Sequence, residues 1–292
     1  MISGLQPDTQ QINRQQFAWL AKETNGYKHL ATEIGAEHSD SIVDLVFDNL
    51  VREHSPNDRY LMISPSELPF YTDKVEAVLG TECEQIDEKL TYLTTLLKAT
   101  MAGDLREHLD GAIEAEKNYT SPSQLPPGGR RREIAKAADW IAASMHGDDG
   151  RAQILDCLNK HVLDEPRGIA LGKTPAEILD KIHSEIVLDA PRVRGPNPNT
   201  AYPSSIGGRF LLNHVFKWTS RIIWPGPGEE IWRDVALFYL GSVITVQGYT
   251  DGNKRMGRLA YALTLLKAEL PFDAPNSALE AGLARMQRPS EL

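Results

Sequence analysis

The chain has 292 residues, with 31 lysines and arginines against 40 aspartates and glutamates, which gives a formal net charge of −9. Counterion-driven binding to nucleic acid needs a basic surface, so this charge argues against DNA or RNA as the principal partner. No apolar stretch reaches the roughly 18 residues that a membrane span needs, and the first residues do not resemble a signal peptide. We therefore expect a cytoplasmic protein, or one exported by a specialised bacterial secretion system.

The two cysteines, Cys83 and Cys157, are too few for a disulfide framework or a zinc site. We expect both thiols to be reduced and no structural metal to be present. The length is sufficient for one or two domains with buried cores.

The first 125 residues carry helical patterns without a chemical signature. Apolar residues recur at helical spacing from Ile42 to Leu50 and again between residues 86 and 113. The prolines and glycines of residues 121–129 then disfavour both helix and strand. The sequence predicts a helical N-terminal region of unknown role over 1–125 and a second domain over 126–292.

The second half alternates between helical patterns and breaks rich in glycine and proline. Residues 191–206 contain four prolines and are expected to form a loop or an extended flap, not a helix. No alternating strand pattern is present, so the fold is predicted to be mainly α-helical. The predicted helices cover residues 132–145, 154–162, a segment that Thr174 caps and Pro175 opens, 210–223 and 229–246.

The stretch 247–258, Gln-Gly-Tyr-Thr-Asp-Gly-Asn-Lys-Arg-Met-Gly-Arg, is predicted to be a polar loop followed by the start of a helix. Asp251, Gly252 and Asn253 interrupt the preceding helix, and an apolar stripe from Leu259 to Leu266 gives the next one a buried face. The loop then lies at a helix N-terminus, where unpaired N–H groups and the helix dipole favour anions.

Three cations follow this loop. Lys254 and Arg258 are spaced i, i+4, and Arg255 and Arg258 are spaced i, i+3, so they repel one another by about a few tenths of a kcal/mol unless an anion lies between them. A polyphosphate would relieve the repulsion, and Asp251 could hold a hydrated Mg²⁺ that bridges phosphate oxygens. The residues alone leave two interpretations open, a phosphate site or a solvated, charged helix start.

The stretch resembles the signature of the Fic (Fido) family, in which His-Pro-Phe precedes an acidic residue, Gly-Asn, Gly or Lys, and two arginines. Residues 251–255 and Arg258 match it, and the surroundings agree over a core of about 170–272 that includes a flap at 192–206. The resemblance implies an all-α Fic-fold helical bundle with a short flap hairpin or loop. It does not cover residues 1–125.

Members of this family transfer part of a nucleotide, most often AMP from ATP, to a Ser, Thr or Tyr hydroxyl of a protein. Carried over by position, the resemblance implies that Asp251 binds Mg²⁺. It further implies that the backbone of Gly252 and Asn253, together with the Asn253 side chain, binds the α-phosphate during catalysis.

The resemblance also assigns the remaining polar positions. Arg255 and Arg258 would hold the outer phosphates, since arginine suits planar bidentate recognition. Lys254 would lie beside the phosphates, and because lysine also occurs here in the Doc-like branch, whose members resemble kinases, the transferred group stays open. Thr200 and Tyr202 in the flap would contact the target protein, with a plain solvated loop as the alternative.

The chain departs from the signature where Gln247-Gly248-Tyr249 replaces His-Pro-Phe. Tyrosine keeps an aromatic anchor and glycine loosens a turn, but the carboxamide of Gln247 cannot take a proton near neutral pH. General-base help is worth roughly 10²–10⁴ in rate. Nucleotide binding should therefore survive and ordinary Fic transfer should not, unless Gln247 orients the acceptor hydroxyl in a transfer that needs no base there.

Other histidines of the domain are candidates for the missing base. His183 and His214 lie within predicted helices and are expected to be structural, because nothing in the sequence directs either one toward Asp251. Many Fic proteins also carry an inhibitory glutamate followed by Gly or Asn, and no glutamate of this chain is. Nothing in the sequence therefore competes with a phosphate for Arg258.

Three functions are compatible with these observations. The first is a Mg²⁺- and nucleotide-dependent transferase that acts on a protein hydroxyl and has diverged at the base position. The second is a pseudoenzyme that binds nucleotide or a protein partner without turnover. The third is a transferase with another phosphate-linked donor, such as a nucleotide sugar or CDP-choline. The absence of the inhibitory motif is compatible with a bacterial effector or with a toxin that has a separate inhibitory partner.

Overall fold

A computed structural model describes residues 10–54, 59–64, 66–103, 105, 129–143, 149–164, 175–187, 193–197, 199–200, 202–222 and 226–275. Over these ranges the chain forms ten α-helices and one small sheet, so the all-α prediction is confirmed. None of these helices has both the length and the apolar character that crossing a bilayer demands. The helices are α1 (Arg14–Lys22), α2 (Asn25–Ile34), α3 (Ala36–His54), α4 (Leu68–Ala102), α5 (Arg130–Ala142), α6 (Asp149–Asn159), α7 (Pro175–Ile186), α8 (Ser205–Thr219), α9 (Ile231–Val246) and α10 (Asn253–Lys267).

The chain divides into two compact units. The first contains Met1–Glu88 and Arg192–Phe210, and the second contains Lys89–Pro191 and Leu211–Leu292. The boundary that the sequence predicts near residue 125 lies outside the described residues. The division into domains 1–125 and 126–292 therefore stays a prediction.

The first unit contains a two-stranded antiparallel sheet that the sequence does not predict. Strand β1 (Gln10–Ile12) pairs with strand β2 (Leu61–Ile63), with Ile12 opposite Leu61. Each strand has three residues, which is too short for an alternation of apolar and polar residues to be recognised. Both residues of this pair are buried, so the sheet forms part of the unit's core.

The second unit is built around helices α9 and α10. Every residue from Trp232 to Val246 is buried, and α9 is therefore a central helix that is apolar on nearly all sides. Its partner α10 approaches it closely at Gly257, where an added Cβ would lie 3.0 Å from Ile244 Cγ1 and 3.2 Å from the Leu240 carbonyl oxygen. This close packing fixes the positions of the two helix ends that the loop 247–252 connects.

Helix α8 begins earlier than the sequence predicts. Residues 191–206 were expected to be non-helical, but the helix starts at Ser205, because Ser204 provides an N-cap whose hydroxyl accepts a hydrogen bond from the Gly207 N–H at 3.0 Å. The buried carboxylate of Glu82 in turn accepts hydrogen bonds from the N–H and the hydroxyl of Ser204. Burial raises the pKa of Glu82, and the hydrogen bonds from Ser204 oppose that rise.

The other predicted helices of the second half are confirmed with small shifts of their ends. Helix α6 ends at Asn159 and continues as a π-helical turn over Lys160–Asp164, where the sequence predicts a regular helix to residue 162. Helix α7 begins at Pro175, as predicted for a proline in the first turn, while its expected cap Thr174 lies outside the described residues.

Two methionines of the second unit provide a test of this packing. Met256 on α10 is fully buried, and Met101 at the end of α4 is 55% exposed. We expect Met256→Ala to lower the free energy of unfolding by about 2–5 kcal/mol, because it leaves a cavity between packed helices. Met101→Ala should change it by less than about 0.5 kcal/mol. Equal effects of the two variants in urea-induced unfolding would contradict the described packing.

Candidate functional site

The loop between α9 and α10 is closed by the side chain of Asn253. Its Oδ1 accepts a hydrogen bond from the Tyr249 N–H at 2.9 Å, and its Nδ2 donates to the Tyr249 carbonyl oxygen at 2.8 Å. Asn253 is buried, so both bonds are shielded from water. The carboxamide that the resemblance assigns to the α-phosphate is therefore engaged in holding the loop.

Two features of the start of α10 favour glycine at position 252. Its φ of 74° lies in the left-handed region, and a Cβ added there would lie 2.9 Å from Val187 Cγ2. As the N-cap residue it also brings no side chain to the first turn, whose N–H groups have no partner inside the helix. The start of α10 is thus suited to an anionic ligand.

The two arginines of the motif are each held by a carbonyl group near the end of another helix. Arg255 donates from Nη1 to the Ile186 carbonyl oxygen at 3.1 Å, at the last residue of α7. Arg258 donates from Nη1 to the Trp140 carbonyl oxygen at 2.7 Å, and its guanidinium lies 4.8 Å from the centre of the Trp140 ring. Cations are favourable at helix C-termini. The helices therefore fix the orientation of both guanidinium groups before any ligand binds.

Arg258 has a protein partner that the sequence does not predict. Nothing in the sequence competes for it, but the structure gives it Trp140 as a partner and buries it to 7% exposure. A guanidinium has five N–H donors, and the Trp140 carbonyl oxygen accepts a hydrogen bond from one of them. The tryptophan on α5 belongs to the surroundings of the motif and was not identified, because its position in the sequence gives no sign of this contact.

Asp251 and Lys254 are the exposed members of the motif. Mg²⁺ is usually held in proteins by one or two carboxylates together with phosphate oxygens and water. Asp251 belongs to no cluster of three His, Cys, Asp or Glu ligands within the described ranges. A single accessible carboxylate holds Mg²⁺ only together with ligands from outside the protein, such as phosphate oxygens and water.

Gln247 turns back onto its own helix. It caps α9 in the left-handed conformation, with φ of 53°, and its Nε2 donates to the Ile244 carbonyl oxygen at 2.6 Å. The carboxamide thus satisfies a helix-terminal carbonyl group, which is a structural role. The predicted aromatic anchor is confirmed, because Tyr249 is buried and stacks on a neighbouring ring.

That neighbouring ring belongs to His183, on α7. The two ring centroids are 4.5 Å apart with an interplanar angle of 18°, and His183 Nε2 lies 3.0 Å from the carbonyl oxygen of Asp251. Nothing in the sequence directs His183 toward Asp251, but the structure brings the two residues together through this hydrogen bond. The signal was hidden because 68 residues separate the two, and only the packing of α7 against the loop brings them together.

The flap residues Thr200 and Tyr202 belong to the first unit. The single O–H of Thr200 lies within hydrogen-bond distance of two carbonyl oxygens, that of Asn197 at 2.9 Å and that of Tyr202 at 3.0 Å. The Arg194 guanidinium lies 4.6 Å from the centre of the Tyr202 ring. Both side chains thus support the conformation of their own segment, and their predicted contact with a target stays a prediction.

A second polar cluster includes one residue of the π-helical turn and two neighbouring side chains. Cys157, His161 and Glu185 have potential metal-ligand atoms within 4.8 Å of one another. Desolvation raises the pKa of the Cys157 thiol to about 12, and Lys160 Nζ lies 2.7 Å from Glu185 Oε1. A protonated thiol and a lysine-bound carboxylate are poor ligands. We therefore assign no metal to this cluster.

The loop closure by Asn253 can be tested through stability. Asn253→Ala removes both hydrogen-bond partners of the buried Tyr249 backbone, and we expect it to lower the free energy of unfolding by about 1–3 kcal/mol. Asn213 is an exposed asparagine on α8 in the same unit, and Asn213→Ala should cost nothing measurable. Thermal or urea-induced unfolding would give the comparison, and an unchanged stability of Asn253→Ala would refute the closure.

Comparison with known proteins relates the chain to one adenylyltransferase. No protein-family model matches it. It is 26% identical over 185 residues to the protein adenylyltransferase VopS of Vibrio parahaemolyticus, an alignment that covers 59% of this chain and 45% of VopS. The chain therefore spans less than half the length of that relative.

A solved structure gives the same relationship at the level of the fold. The crystal structure of the Fic domain containing AMPylator VopS matches with a TM-score of 0.57 at 22% identity, and the match covers 93% of this chain and 82% of that chain. The sequence match and the structural match both identify VopS. The chain thus has the all-α Fic fold and is homologous to a Fic-domain AMPylator.

Proposed function

We propose that this protein is a Mg²⁺- and nucleotide-dependent transferase that moves AMP from ATP to a Ser, Thr or Tyr hydroxyl of another protein. The observation that carries the proposal is the arrangement at the start of α10. There an uncapped helix N-terminus, an exposed carboxylate and two oriented guanidinium groups adjoin one closed loop. The homology to a protein named as an adenylyltransferase supports the same reaction.

Each motif residue has a role that its surroundings support. The N–H groups of Gly252 and Asn253 would bind the α-phosphate, because the loop leaves them at the positive end of the helix dipole. Arg255 and Arg258 would hold the outer phosphates, since the planar guanidinium group suits bidentate recognition of phosphate. Asp251 would hold Mg²⁺ on the phosphate oxygens, where the metal neutralises charge that develops during transfer.

Lys254 bears on the identity of the donor. It is exposed in the first turn of α10, so its ammonium can reach a phosphate from the solvent side. A nucleotide sugar or CDP-choline presents a diphosphate to the same groups, and a transferase that uses such a donor is the third candidate. A panel of labelled donors distinguishes it from an ATP-dependent enzyme.

The target would be a protein, bound in part by the flap at 192–206, with Thr200 and Tyr202 as contacts. Absence of the inhibitory glutamate motif suits a protein restrained by a separate inhibitory partner, or one that needs no restraint. The protein would act in the cytoplasm, or in a host or neighbouring cell after export.

The second candidate is a pseudoenzyme that binds nucleotide, or a protein partner, without turnover. One observation favours it, which is the use of Gln247 as a helix cap. Its carboxamide donates to the Ile244 carbonyl oxygen and cannot accept a proton from an acceptor hydroxyl. Nucleotide binding without product would support this candidate.

The deciding experiment measures transfer from α-labelled ATP with Mg²⁺ into a target-cell lysate. We expect the natural chain to label a protein band. The variant Asp251→Asn should reduce the extent of this labelling by about tenfold or more, because it removes the carboxylate that would bind the metal. Asp156 is an exposed aspartate on α6, and Asp156→Asn is the matched control that should label normally.

The variant Gln247→His separates the candidates. Labelling by Gln247→His alone would show that the phosphate site is intact and that natural AMP transfer is lost, which favours the pseudoenzyme or another donor. Absence of labelling by both chains, with normal folding, would refute the proposed transferase.

A further inference from the structure

A cluster of three potential metal ligands lies where α2 meets α4, within the first unit. It contains the imidazole of His29, the thiol of Cys83 and the carboxylate of Asp87, and their potential ligand atoms all lie within 4.8 Å of one another. In a tetrahedral zinc site with bonds of about 2.0–2.3 Å, neighbouring ligand atoms are about 3.3–3.8 Å apart. The three side chains are therefore close to the separation that ligands of one metal ion have.

The two helices bring these ligands together. Cys83 and Asp87 are spaced i, i+4 on α4, so their side chains share one face of that helix. The Gly26 N–H on α2 donates to the carboxylate of Glu76 on α4 at 3.0 Å, and a Cβ added at Gly26 would lie 2.9 Å from the Glu76 carbonyl oxygen. His29 follows Gly26 by about one turn of α2. This close packing fixes the distance between the ligands that the two helices provide.

The charges around the cluster favour a cation. Burial and nearby carboxylates raise the pKa of the Cys83 thiol to about 12. These carboxylates belong to Asp87, Glu33, Glu84 and Glu82. The same negative charges attract a divalent cation, which takes the place of the thiol proton when it binds and releases that proton to solvent. Among the residues that the structure describes, none forms a hydrogen bond or an ion pair with the side chains of His29 or Asp87.

This cluster differs from the one that contains Cys157. There Lys160 Nζ lies 2.7 Å from Glu185 Oε1, so an ammonium group already neutralises the carboxylate and would repel a metal ion. Both thiols are protonated without a metal, but the surroundings of Cys83 are acidic and those of Cys157 include a lysine. His29 is exposed, so an ion can enter from solvent and a water molecule can complete its coordination.

We propose that His29, Cys83 and Asp87 bind one Zn²⁺ ion, with water as the fourth ligand. A thiolate, an imidazole nitrogen and a carboxylate oxygen are the three ligand types that zinc takes in proteins. Two cysteines are too few for a cysteine-rich site, but this mixed set needs only one of them. The bound ion links α2 to α4 and so stabilises the first unit. The inference does not depend on the proposed function, because no residue of the phosphate site takes part.

Cobalt is the probe for this site, because Co²⁺ takes the same ligands as zinc and absorbs light when a thiolate binds it. The full chain, freed of metal with a chelator, is titrated with Co²⁺. We expect a thiolate-to-cobalt charge-transfer band in the near ultraviolet that saturates at one equivalent. Added Zn²⁺ should remove the band, since thiolate ligands select zinc. The phosphate site contains no thiol in its motif and cannot produce this band.

Three variants locate the bound ion. Cys83→Ser should abolish the charge-transfer band, and His29→Gln, at an exposed position, should weaken Co²⁺ binding by about tenfold or more. Cys157→Ser is the matched control and should keep both the band and the affinity. Zn²⁺ should raise the melting temperature of the natural chain and of Cys157→Ser, and should not raise that of His29→Gln.

Four results would overturn the site. These are a natural chain without the band at saturating Co²⁺, a band that persists in Cys83→Ser, an unchanged affinity in His29→Gln, and loss of the band in a folded Cys157→Ser. Because none of these measurements involves a nucleotide, each of them leaves the proposed function standing.

Discussion

The two hydrogen bonds between the Asn253 carboxamide and the Tyr249 backbone are the constraint on which the rest of the site depends. They lie in a buried position and fix the loop between the two most closely packed helices of the second unit. Because the loop is closed, Gly252 takes its left-handed conformation and α10 begins without a side-chain cap. A fixed, uncapped helix start has its N–H groups oriented before a phosphate arrives, which is what electrostatic preorganisation requires.

Helix ends supply the surroundings of this loop. The C-terminal part of α7 provides the carbonyl that holds Arg255 and the histidine that contacts Asp251, and the C-terminal part of α5 holds Arg258 through Trp140. Carbonyl groups at helix ends lack intrahelical partners, and the guanidinium groups satisfy them. The same contacts therefore stabilise the bundle and orient the cations.

The sequence predicted those parts of the molecule that depend on local chemistry. Asp251-Gly252-Asn253 predicted the end of one helix and the start of the next, and α10 begins at Asn253. The sequence does not predict contacts that depend on the packing of distant segments, such as the hydrogen bonds of His183 to Asp251 and of Arg258 to Trp140. The strands β1 and β2 were missed because three residues carry no periodicity, and the early start of α8 depends on Ser204 and its partner Glu82, which lies 122 residues away.

The central claim is that the start of α10 binds the phosphates of a nucleotide. The most direct test follows the backbone amide signals of Gly252, Asn253 and Lys254 in a ¹⁵N correlation spectrum during titration with Mg-ATP, and with adenosine and Mg²⁺ as a phosphate-free control. The account predicts that these amides shift in a saturable manner with Mg-ATP and stay in place with adenosine. Amide signals that do not shift at millimolar Mg-ATP, or that shift equally with adenosine, would contradict phosphate binding at the start of α10.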